Sequence, residues 1–313
     1  MKVFITGGTG CIGQYVTLAV AKAGHEVVVL SRTPDKYAPM LEMGNIKIAG
    51  GLMTDYEAIA QYVKGCDAVI TFALGWGNEP VSMLMNDTVP TVNLLEISEK
   101  ADVEKFIFTS SEAAMGHRRG DSMDESFCNQ PLNLYGSTKA AIEAYILGFS
   151  QYFPEAGREP KKVTMKRNII RPGYTYATPC FAGGTTQYDS RFRDIAAAVV
   201  SNNPVRVTKH DGTQFLSAGQ IAEMYVKLLE SDLNEEIFLA LANDYVTWER
   251  IAEIALEEYS ASTSEIVVED KGWSSKPFMY DVGKMKRVFG LEWSGEDEIR
   301  KHVKWNLEMA GLS

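Results

Sequence analysis

Cysteine, histidine and long apolar runs are scarce in this chain of 313 residues. The four cysteines and four histidines are scattered, and no Cys-x-x-Cys pair occurs. This spacing argues against a disulfide framework and against a zinc site. No apolar run approaches the roughly 18 residues of a membrane-spanning helix, and no secretory signal pattern precedes the first strand-like segment. The sequence therefore predicts no metal, no membrane partner and a cytoplasmic location.

Positive charge is also in deficit, with 31 Lys and Arg against 41 Asp and Glu and a net charge of −10. Such a surplus of negative charge repels nucleic acids and anionic membranes. Hydrophobic residues make up 45% and charged residues 23%, which is typical of globular proteins and excludes a disordered or fibrous chain. We expect a small-molecule substrate as the partner, and no nucleic acid.

The first half of the chain alternates strand-like and helix-like segments. The predicted strands are Val3–Ile5, Glu26–Leu30, Ile46–Ala49, Ala68–Phe72, Lys105–Thr109 and Lys166–Ile170, and the predicted helices are Val16–Ala23, Tyr56–Lys64, Val89–Lys100 and Ser137–Phe149. This alternation predicts the α/β class, with a doubly wound parallel sheet of the Rossmann type over residues 1–171.

After residue 171 the pattern changes. Short strands at Val205–Val207 and Ile237–Leu241 mix with helices at Ile221–Leu229, Trp248–Tyr259 and Glu296–Ala310. We interpret residues 172–313 mostly as a smaller substrate-binding lobe over the carboxyl edge of the sheet, with some segments returning to the Rossmann domain.

Glycines are concentrated between the first strand and the first helix. Gly7, Gly10 and Gly13 are spaced as GxxGxxG at this turn. A plain strand-to-helix turn needs one glycine, whereas a dinucleotide loop uses one for the turn, one for the pyrophosphate and one for helix packing. The helix N-terminus then holds the phosphates. We predict dinucleotide binding here, with Cys11 and Ile12 of the same loop in contact with the cofactor.

The end of the second strand bears on cofactor choice. NAD specificity normally places Asp or Glu there, but this strand ends in Ser31 and Arg32. A guanidinium can grip a 2′-phosphate with two hydrogen bonds. Asp35, which could serve the ribose instead, lies beyond Pro34. The sequence favours NADP and leaves NAD open.

Tyr135 and Lys139 are four residues apart at the start of a predicted helix and so share one face. A lysine ammonium beside a phenol lowers the tyrosine pKa, which suits a general acid/base. The spacing alone is common on amphipathic helices. The hydroxyl of Ser111, at the end of the fifth strand, strengthens the catalytic interpretation because ligands of α/β sheets lie at that edge. We predict that Ser111, Tyr135 and Lys139 are catalytic.

Together these features resemble the extended short-chain dehydrogenase/reductase family of the NAD-dependent epimerase/dehydratase type, over nearly the whole chain. Thr6–Gly13 is similar to its TGxxGxxG motif, Tyr135–Lys139 to its YxxxK motif and Ser110-Ser111 to its strand-end hydroxyls. The resemblance implies that Ser111 orients the substrate oxygen and that Lys139 also binds the nicotinamide ribose. It further implies cofactor contacts at Leu52, Phe72, Ala73 and Asn86.

Two departures from the family pattern concern the substrate. The family's RPxN reads Arg171-Pro172-Gly173-Tyr174, and Thr213 stands where a phosphate-binding Arg is expected. We therefore expect weak binding of nucleotide sugars and a better fit for a smaller carbonyl or hydroxyl compound. The candidate substrate residues are Trp76, Glu112, Tyr174 and Arg191.

The resulting hypothesis is an NAD(P)-dependent oxidoreductase or epimerase that transfers a hydride at a carbonyl or alcohol carbon. One alternative is a nucleotide-sugar epimerase or dehydratase, although Ala113 leaves the dehydratase acid pair beside Glu112 incomplete. An alternative of another class is an NADP-sensing regulator without turnover, which would need only the glycine loop.

The resemblance also implies a homodimer, formed through the helix after Asn86 and the helix after Tyr135. The latter carries Ala140, Ala141 and Ala144, which are small enough for close helix approach or for packing on the sheet.

Overall fold

A computed structural model of the protein describes residues 1–35, 43–75, 79–149, 163–181 and 184–311. Its strands are β1 Lys2–Thr6, β2 Glu26–Ser31, β3 Ile46–Gly50, β4 Ala68–Thr71, β5 Lys105–Thr109, β6 Ser122–Met123, β7 Lys166–Pro172, β8 Thr175–Tyr176, β9 Val205–Thr208, β10 Gly212–Thr213, β11 Leu216–Ser217, β12 Ile237–Ala240, β13 Val246–Thr247, β14 Ile266–Glu269 and β15 Met279–Tyr280. Its α-helices are α1 Gly13–Lys22, α2 Tyr56–Val63, α3 Pro80–Met83, α4 Val89–Lys100, α5 Leu134–Gly148, α6 Arg191–Val200, α7 Ala218–Glu230, α8 Trp248–Glu258, α9 Gly283–Phe289 and α10 Glu296–Gly311. A π-helical turn, Leu84–Thr88, joins α3 to α4, and a 3₁₀ turn, Glu112–Ala114, follows β5.

The central sheet is parallel throughout, with its seven strands in the order β12-β7-β5-β4-β1-β2-β3. This confirms the predicted doubly wound sheet. The strand order reverses between β1 and β4, and a crevice at such a point, beyond the carboxyl ends of the strands, is where α/β sheets bind ligands.

Side chains of the strands alternate between two buried layers. Val3 and Ile5 of β1 face the core that includes α1 and α7, whereas Phe4 faces the core that includes α2, α4 and α5. Because both faces are covered, the strands carry nearly continuous apolar runs instead of alternating polar and apolar residues.

Two elements from the second half belong to the Rossmann layers. The sequence interpretation expected some segments after residue 171 to return to the Rossmann domain but did not say which. In the structure β12 pairs in parallel with β7 at the edge of the central sheet, and α7 contributes to the same core as α1. Phe238, Leu239 and Ala240 are fully buried, which is typical of a strand inside a covered parallel sheet.

The smaller lobe has an aromatic core between α6, α8 and α10. The rings of Phe192 and Phe215 meet Trp248 edge-on, with centroids 5.1 and 5.0 Å away. Such edge-to-face contacts add stability beyond the apolar area they bury. Within the described residues, no helix has both the length and the apolar character needed to cross a bilayer.

Candidate active site

A cavity of ≈ 290 Å³ lies at the carboxyl edge of the sheet, between the glycine loop and α5. Its lining includes the predicted loop residues Gly7, Gly10, Cys11, Ile12 and Gly13, the strand-end residue Phe72, and the predicted catalytic residues Ser111, Tyr135 and Lys139. The structure thus brings the dinucleotide loop and the predicted acid/base group to one place.

The glycine loop needs glycine for two different reasons. Gly7 has φ +67°, and a Cβ at Gly13 would lie 2.1 Å from the Gly7 carbonyl oxygen, so these two positions are fixed by the protein's own backbone. At Gly10 a Cβ would meet only that oxygen among the described atoms, at 3.2 Å. Gly10 therefore keeps open a space that borders the cavity.

This open space fits a dinucleotide pyrophosphate. α1 starts directly after the loop, and Ile12 at its N-cap position provides no side-chain hydrogen bond to the first turn. A helix N-terminus that has no side-chain cap presents backbone N–H groups and a positive dipole to an anion.

A long crossover segment from the second lobe closes one side of the cavity. Gln14 Nε2 donates to the Thr185 carbonyl at 2.6 Å, and the Tyr15 hydroxyl donates to the Thr178 carbonyl at 2.6 Å. These bonds bring Gln187 and Tyr188 to the cavity wall. Sequence reasoning missed both residues because no local motif marks them. It also missed Leu74 and Thr175 as lining residues.

Tyr135 is placed by the start of α5. The Asn133 side chain caps this helix by accepting a hydrogen bond from the Gly136 N–H at 2.8 Å. A Cβ on Gly136 would lie 2.3 Å from the Ala113 carbonyl oxygen, so the glycine lets α5 approach the 3₁₀ turn after β5. The Tyr135 phenol can thus hydrogen-bond the Ser111 hydroxyl, as a general acid/base unit requires.

The Tyr135 pKa differs from the expectation. Burial raises the pKa of Tyr135, nearby Asp87 and Glu112 add to the rise, and the Ser111 hydrogen bond offsets only part of it. The predicted lowering by Lys139 is wrong for the protein alone, because the Lys139 ammonium lies 5.9 Å from the ring centroid and the pKa of Tyr135 is shifted upward. The phenol is therefore protonated at neutral pH and able to donate a proton.

Asn86, for which the resemblance implies a cofactor contact, and its neighbour Asp87 have different surroundings. Asn86 is exposed, does not line the cavity, and its Nδ2 donates to Ser82 Oγ at 3.2 Å. Asp87 is buried instead, and its Oδ2 lies 3.8 Å from Lys139 Nζ. Sequence reasoning missed Asp87, although Pro90 shortly after it signals an irregular helix start.

The residues predicted for cofactor choice lie outside the cavity lining. Ser31 is buried and its Oγ accepts from the Thr33 N–H at 3.2 Å, while Arg32 is exposed at the end of β2. Leu52 follows β3, the neighbouring strand, and its side chain is 53% exposed. Ala73 N would lie 2.7 Å from a Cβ on Gly7, so Ala73 supports the glycine loop without lining the cavity.

The candidate substrate residues are not brought together. Glu112 does not line the cavity, and its Oε2 accepts from the Tyr280 hydroxyl at 3.1 Å. The ring of Tyr174 belongs to the aromatic core and lies 4.8 Å from that of Phe215. Trp76 lies outside the described residues.

Arg191 borders a second cavity, of ≈ 390 Å³, in the smaller lobe. Its guanidinium lies 4.1 Å from the Trp248 ring centroid and pairs with Asp189 and Asp211. The structure therefore separates Arg191 from Tyr135 and Ser111. Among the described residues, no group of three or more His, Cys, Asp or Glu could hold a metal ion.

Comparison with known proteins identifies the family. The model of the NAD dependent epimerase/dehydratase family matches residues 3–240. The chain belongs to this family. The match confirms the resemblance drawn from the glycine loop and the Tyr135–Lys139 pair.

Curated relatives extend the comparison. The chain is 23% identical over 332 residues to dTDP-D-glucose 4,6-dehydratase of Mus musculus, covering 97% of this chain and 88% of that protein. It is 30% identical over 177 residues to UDP-glucose 4-epimerase of Halalkalibacterium halodurans, covering 51% and 52%. A Dictyostelium discoideum sterol-4-alpha-carboxylate 3-dehydrogenase is 29% identical over 47% of each chain. The chain thus spans about half the length of several relatives that it matches.

Solved structures agree on the fold. The UDP-glucuronic acid 4-epimerase from Bacillus cereus in complex with NAD superposes with a TM-score of 0.77 at 18% identity, over 100% of this chain and 99% of that one. At this identity the similarity establishes the fold alone.

Proposed function

We propose that this protein is an NAD(P)-dependent oxidoreductase or epimerase that transfers a hydride at a carbonyl or alcohol carbon of a small substrate. The observation that carries the proposal is the shared cavity: Ser111, Tyr135 and Lys139 line the same space as the glycine loop. A regulator that only senses the dinucleotide would not need these three side chains there.

Each of the three side chains would have a different role in the reaction. A bound nicotinamide would supply or accept the hydride. In reduction the Tyr135 phenol donates its proton to the substrate oxygen, and in oxidation Tyr135 takes that proton back. Ser111, hydrogen-bonded to the phenol, orients the same oxygen. Lys139 would hold the ribose hydroxyls, and the glycine loop with the N-terminus of α1 would hold the pyrophosphate.

A small, weakly charged substrate fits this protein better than a nucleotide sugar. A diphosphate calls for cations or aimed donors. Arg191, one of the two arginines that line the second cavity, already pairs with two carboxylates, and Tyr174 is packed in the aromatic core. We propose a small ketone, hydroxyl compound or free sugar derivative. The alternative, a nucleotide-sugar epimerase or dehydratase, is supported by the names of the relatives from Mus musculus and Halalkalibacterium halodurans.

Turnover assays test the proposal. Oxidation of NADPH and NADH is followed with a panel of small ketones, free sugars and nucleotide sugars. Because epimerisation returns the hydride and leaves no net change in the dinucleotide, epimeric products are also followed by NMR, with Tyr135→Phe as the inactive reference. Turnover of small carbonyls that the variant loses supports the proposal. Dinucleotide binding with no turnover across the panel would favour a sensor, and micromolar calorimetric binding of a nucleotide sugar would favour the sugar enzyme.

We propose NADP as the preferred dinucleotide. Arg32 is exposed directly after β2, where the 2′-phosphate of NADP would lie. Between the end of this strand and Asp35 there is no carboxylate. A guanidinium binds a phosphate with charge-assisted hydrogen bonds.

We also propose a homodimer through α4 and α5, the helices after Asn86 and Tyr135, extended by α3 and the π turn that precede α4. The exposed apolar residues Val81, Leu84 and Met85 lie on α3 and the π turn, and Tyr145 is 57% exposed on α5. Ala144 is exposed too, so it does not pack on the sheet. An apolar surface of this kind is typical of a protein interface. A monomer by light scattering at micromolar concentration would contradict the proposal.

The proposed location is the cytoplasm, as predicted from the sequence. Fractionation of cells that produce the protein tests this, with enrichment in a membrane or secreted fraction as the contrary result.

A further inference from the structure

A buried ion pair lies behind the proposed acid/base residue. Asp87 Oδ2 is 3.8 Å from Lys139 Nζ, with side chains 1% and 4% exposed. Asp87 Oδ1 accepts a hydrogen bond from the Gly75 N–H at 3.3 Å, whereas Oδ2 has no hydrogen-bond partner among the described residues. A buried carboxylate without a counter-charge is costly, so Asp87 depends on the Lys139 ammonium.

The chain turns Asp87 inward by an irregularity in its backbone. Pro90 has no N–H and cannot bond to the carbonyl of Asn86, four residues earlier. The helix is π-helical at this point, from Leu84 to Thr88. A Cβ on Gly75 would lie 1.9 Å from the backbone carbonyl oxygen of Asn86, so the segment after β4 packs directly against the π turn. π-helical turns of this kind frequently occur at functional sites.

Other charges near Lys139 are already compensated. Glu143, on the same helix, accepts hydrogen bonds from Arg171 Nε at 2.9 Å and Nη2 at 2.7 Å, and from Asn129. The Phe108 ring of β5 contributes only a weak attraction, with its centroid 5.1 Å from Nζ. Asp87 is therefore the carboxylate that balances the Lys139 charge.

The groups that face Tyr135 complete the electrostatic description. Ser111 approaches Tyr135 from the cap of the 3₁₀ turn and Glu112 from the turn itself. Asp87 approaches it from the π turn, and Tyr225 from α7. Burial lowers the pKa of Lys139, and Asp87 and Glu143 oppose this. A negative charge at Asp87 thus raises the proton affinity of both Lys139 and Tyr135.

We propose that Asp87 is a positioning residue that holds Lys139 in place as an ammonium beside Tyr135. The inference rests on the proposed function, in which this pair serves proton transfer. It predicts two separate effects of Asp87, one on stability and one on the pH dependence of turnover.

A double-mutant cycle tests the pair without any activity. Lys139→Met leaves Asp87 buried without its counter-charge, and we expect the unfolding equilibrium to shift roughly a hundredfold toward the unfolded state. Adding Asp87→Asn should recover most of this loss, because the amide keeps the shape and carries no charge. If the losses of unfolding free energy in the two single variants simply add in the double variant, the proposed pairing is overturned. If Lys139→Met gives no folded protein, folding of the double variant supports the pairing and its failure to fold overturns it.

The pH profile tests the role in the reaction. Removing the charge of Asp87 lowers the joint pKa values of Lys139 and Tyr135. In Asp87→Asn the alkaline limb of kcat/KM for reduction should therefore move down by about one pH unit or more. Glu96→Gln, an exposed change of the same kind on α4, should leave the limb in place. A uniform loss at every pH with an unmoved limb would mark Asp87 as merely structural and overturn the proposal.

These two tests separate the inference from the proposed function. If the wild type turns over nothing, the proposed function fails, while the unfolding cycle still decides whether Asp87 holds Lys139.

Discussion

The two cavities described above are each lined by a cation, buried Lys139 in one and exposed Arg191 in the other, and the surroundings of these cations differ. Lys139, in the cavity at the sheet edge, faces the buried carboxylate of Asp87 at 3.8 Å, beyond hydrogen-bond distance. Arg191, in the cavity of the smaller lobe, pairs with Asp189 and Asp211 and covers the Trp248 ring. A cation near a cavity is therefore insufficient to identify an anion site. A cation can bind an anionic ligand only if its charge and its N–H donors are not already taken up by neighbouring carboxylates.

The two regions are also built differently. The edge cavity is shaped by backbone, through glycines whose added Cβ atoms would clash with main-chain oxygens. The smaller lobe is shaped by aromatic side chains such as Phe192, Phe215 and Trp248, which fill its centre. The first arrangement leaves room for backbone donors to meet a ligand, whereas the second favours stability.

The largest expected effect compares two half-buried tyrosines, Tyr135 and Tyr174, one from each region. Tyr135→Phe should lower kcat by about a hundredfold to ten-thousandfold while dinucleotide binding persists, because only the transferable proton is lost. Tyr174→Phe removes a hydroxyl from the aromatic core and should leave kcat nearly unchanged. Steady-state kinetics and a dinucleotide titration measure both variants. Equal losses in the two variants would contradict the assignment of Tyr135.

The next prediction compares two glycines of one loop. In Gly13→Ala the new Cβ would lie 2.1 Å from the Gly7 oxygen, and the loop must shift at a cost of about 1–3 kcal/mol of unfolding free energy. In Gly10→Ala the nearest atom is at 3.2 Å, so stability should be nearly kept while dinucleotide affinity falls. Urea unfolding and fluorescence titration distinguish these results. Unchanged dinucleotide affinity in Gly10→Ala would argue against the pyrophosphate site.

His302 connects the two regions and gives a pH prediction. Its Nδ1 is 3.1 Å from Thr178 Oγ1, its Nε2 is 3.1 Å from Gln187 Nε2, and burial lowers its pKa to about 4. An unfolded histidine titrates near pH 6.5. Between these two pKa values the unfolded state binds more protons than the folded state. Neutral His302 therefore contributes fully to the free energy of unfolding above about pH 6.5, and this contribution is lost as the pH falls toward 4. It amounts to roughly 3 kcal/mol.

The variant His302→Gln tests this contribution. Glutamine keeps a hydrogen-bonding side chain but does not titrate, so its unfolding free energy should fall less between pH 7 and pH 4 than that of the wild type. The wild-type minus variant difference isolates His302 from the carboxylates that titrate in the same range. Parallel curves for the two proteins would contradict a neutral buried His302.

The smallest effect concerns cofactor choice. Arg32→Ala should weaken NADPH binding by about 1.5–3 kcal/mol, which is roughly tenfold or more, and should leave NADH affinity nearly unchanged. Arg191→Ala, from the other region, is the matched control and should change neither affinity. Titration of both cofactors against the three proteins measures this. Equal wild-type affinities for NADH and NADPH would contradict the preference for NADP.

Local sequence was sufficient for much of the edge cavity. Gly13 is required by the backbone of Gly7 in the same loop, and Tyr135 and Lys139 share one helix, so their spacing predicts their proximity. The parallel sheet followed from apolar segments that alternate with helices. The roles of Ser111, Tyr135 and Lys139 stay predictions until turnover is measured.

The remaining features depend on tertiary structure. A π turn decides that Asp87 instead of Asn86 faces Lys139, which a regular helix would not show. Gln187 reaches the cavity through a crossover tied to α1, across a sequence separation of 171 residues between Gln14 and Thr185. Parallel pairing with β7 decides that Ile237–Ala240 joins the central sheet.

The sequence by itself determined the fold class, the glycine loop and the Tyr135–Lys139 spacing, because each depends on neighbours within one strand, turn or helix. Only the tertiary structure decided which charges are compensated. Lys139 meets Asp87 from another helix, and Arg191 meets Asp211 from another loop. Electrostatic balance depends on distances in space between groups that the chain brings together only after folding.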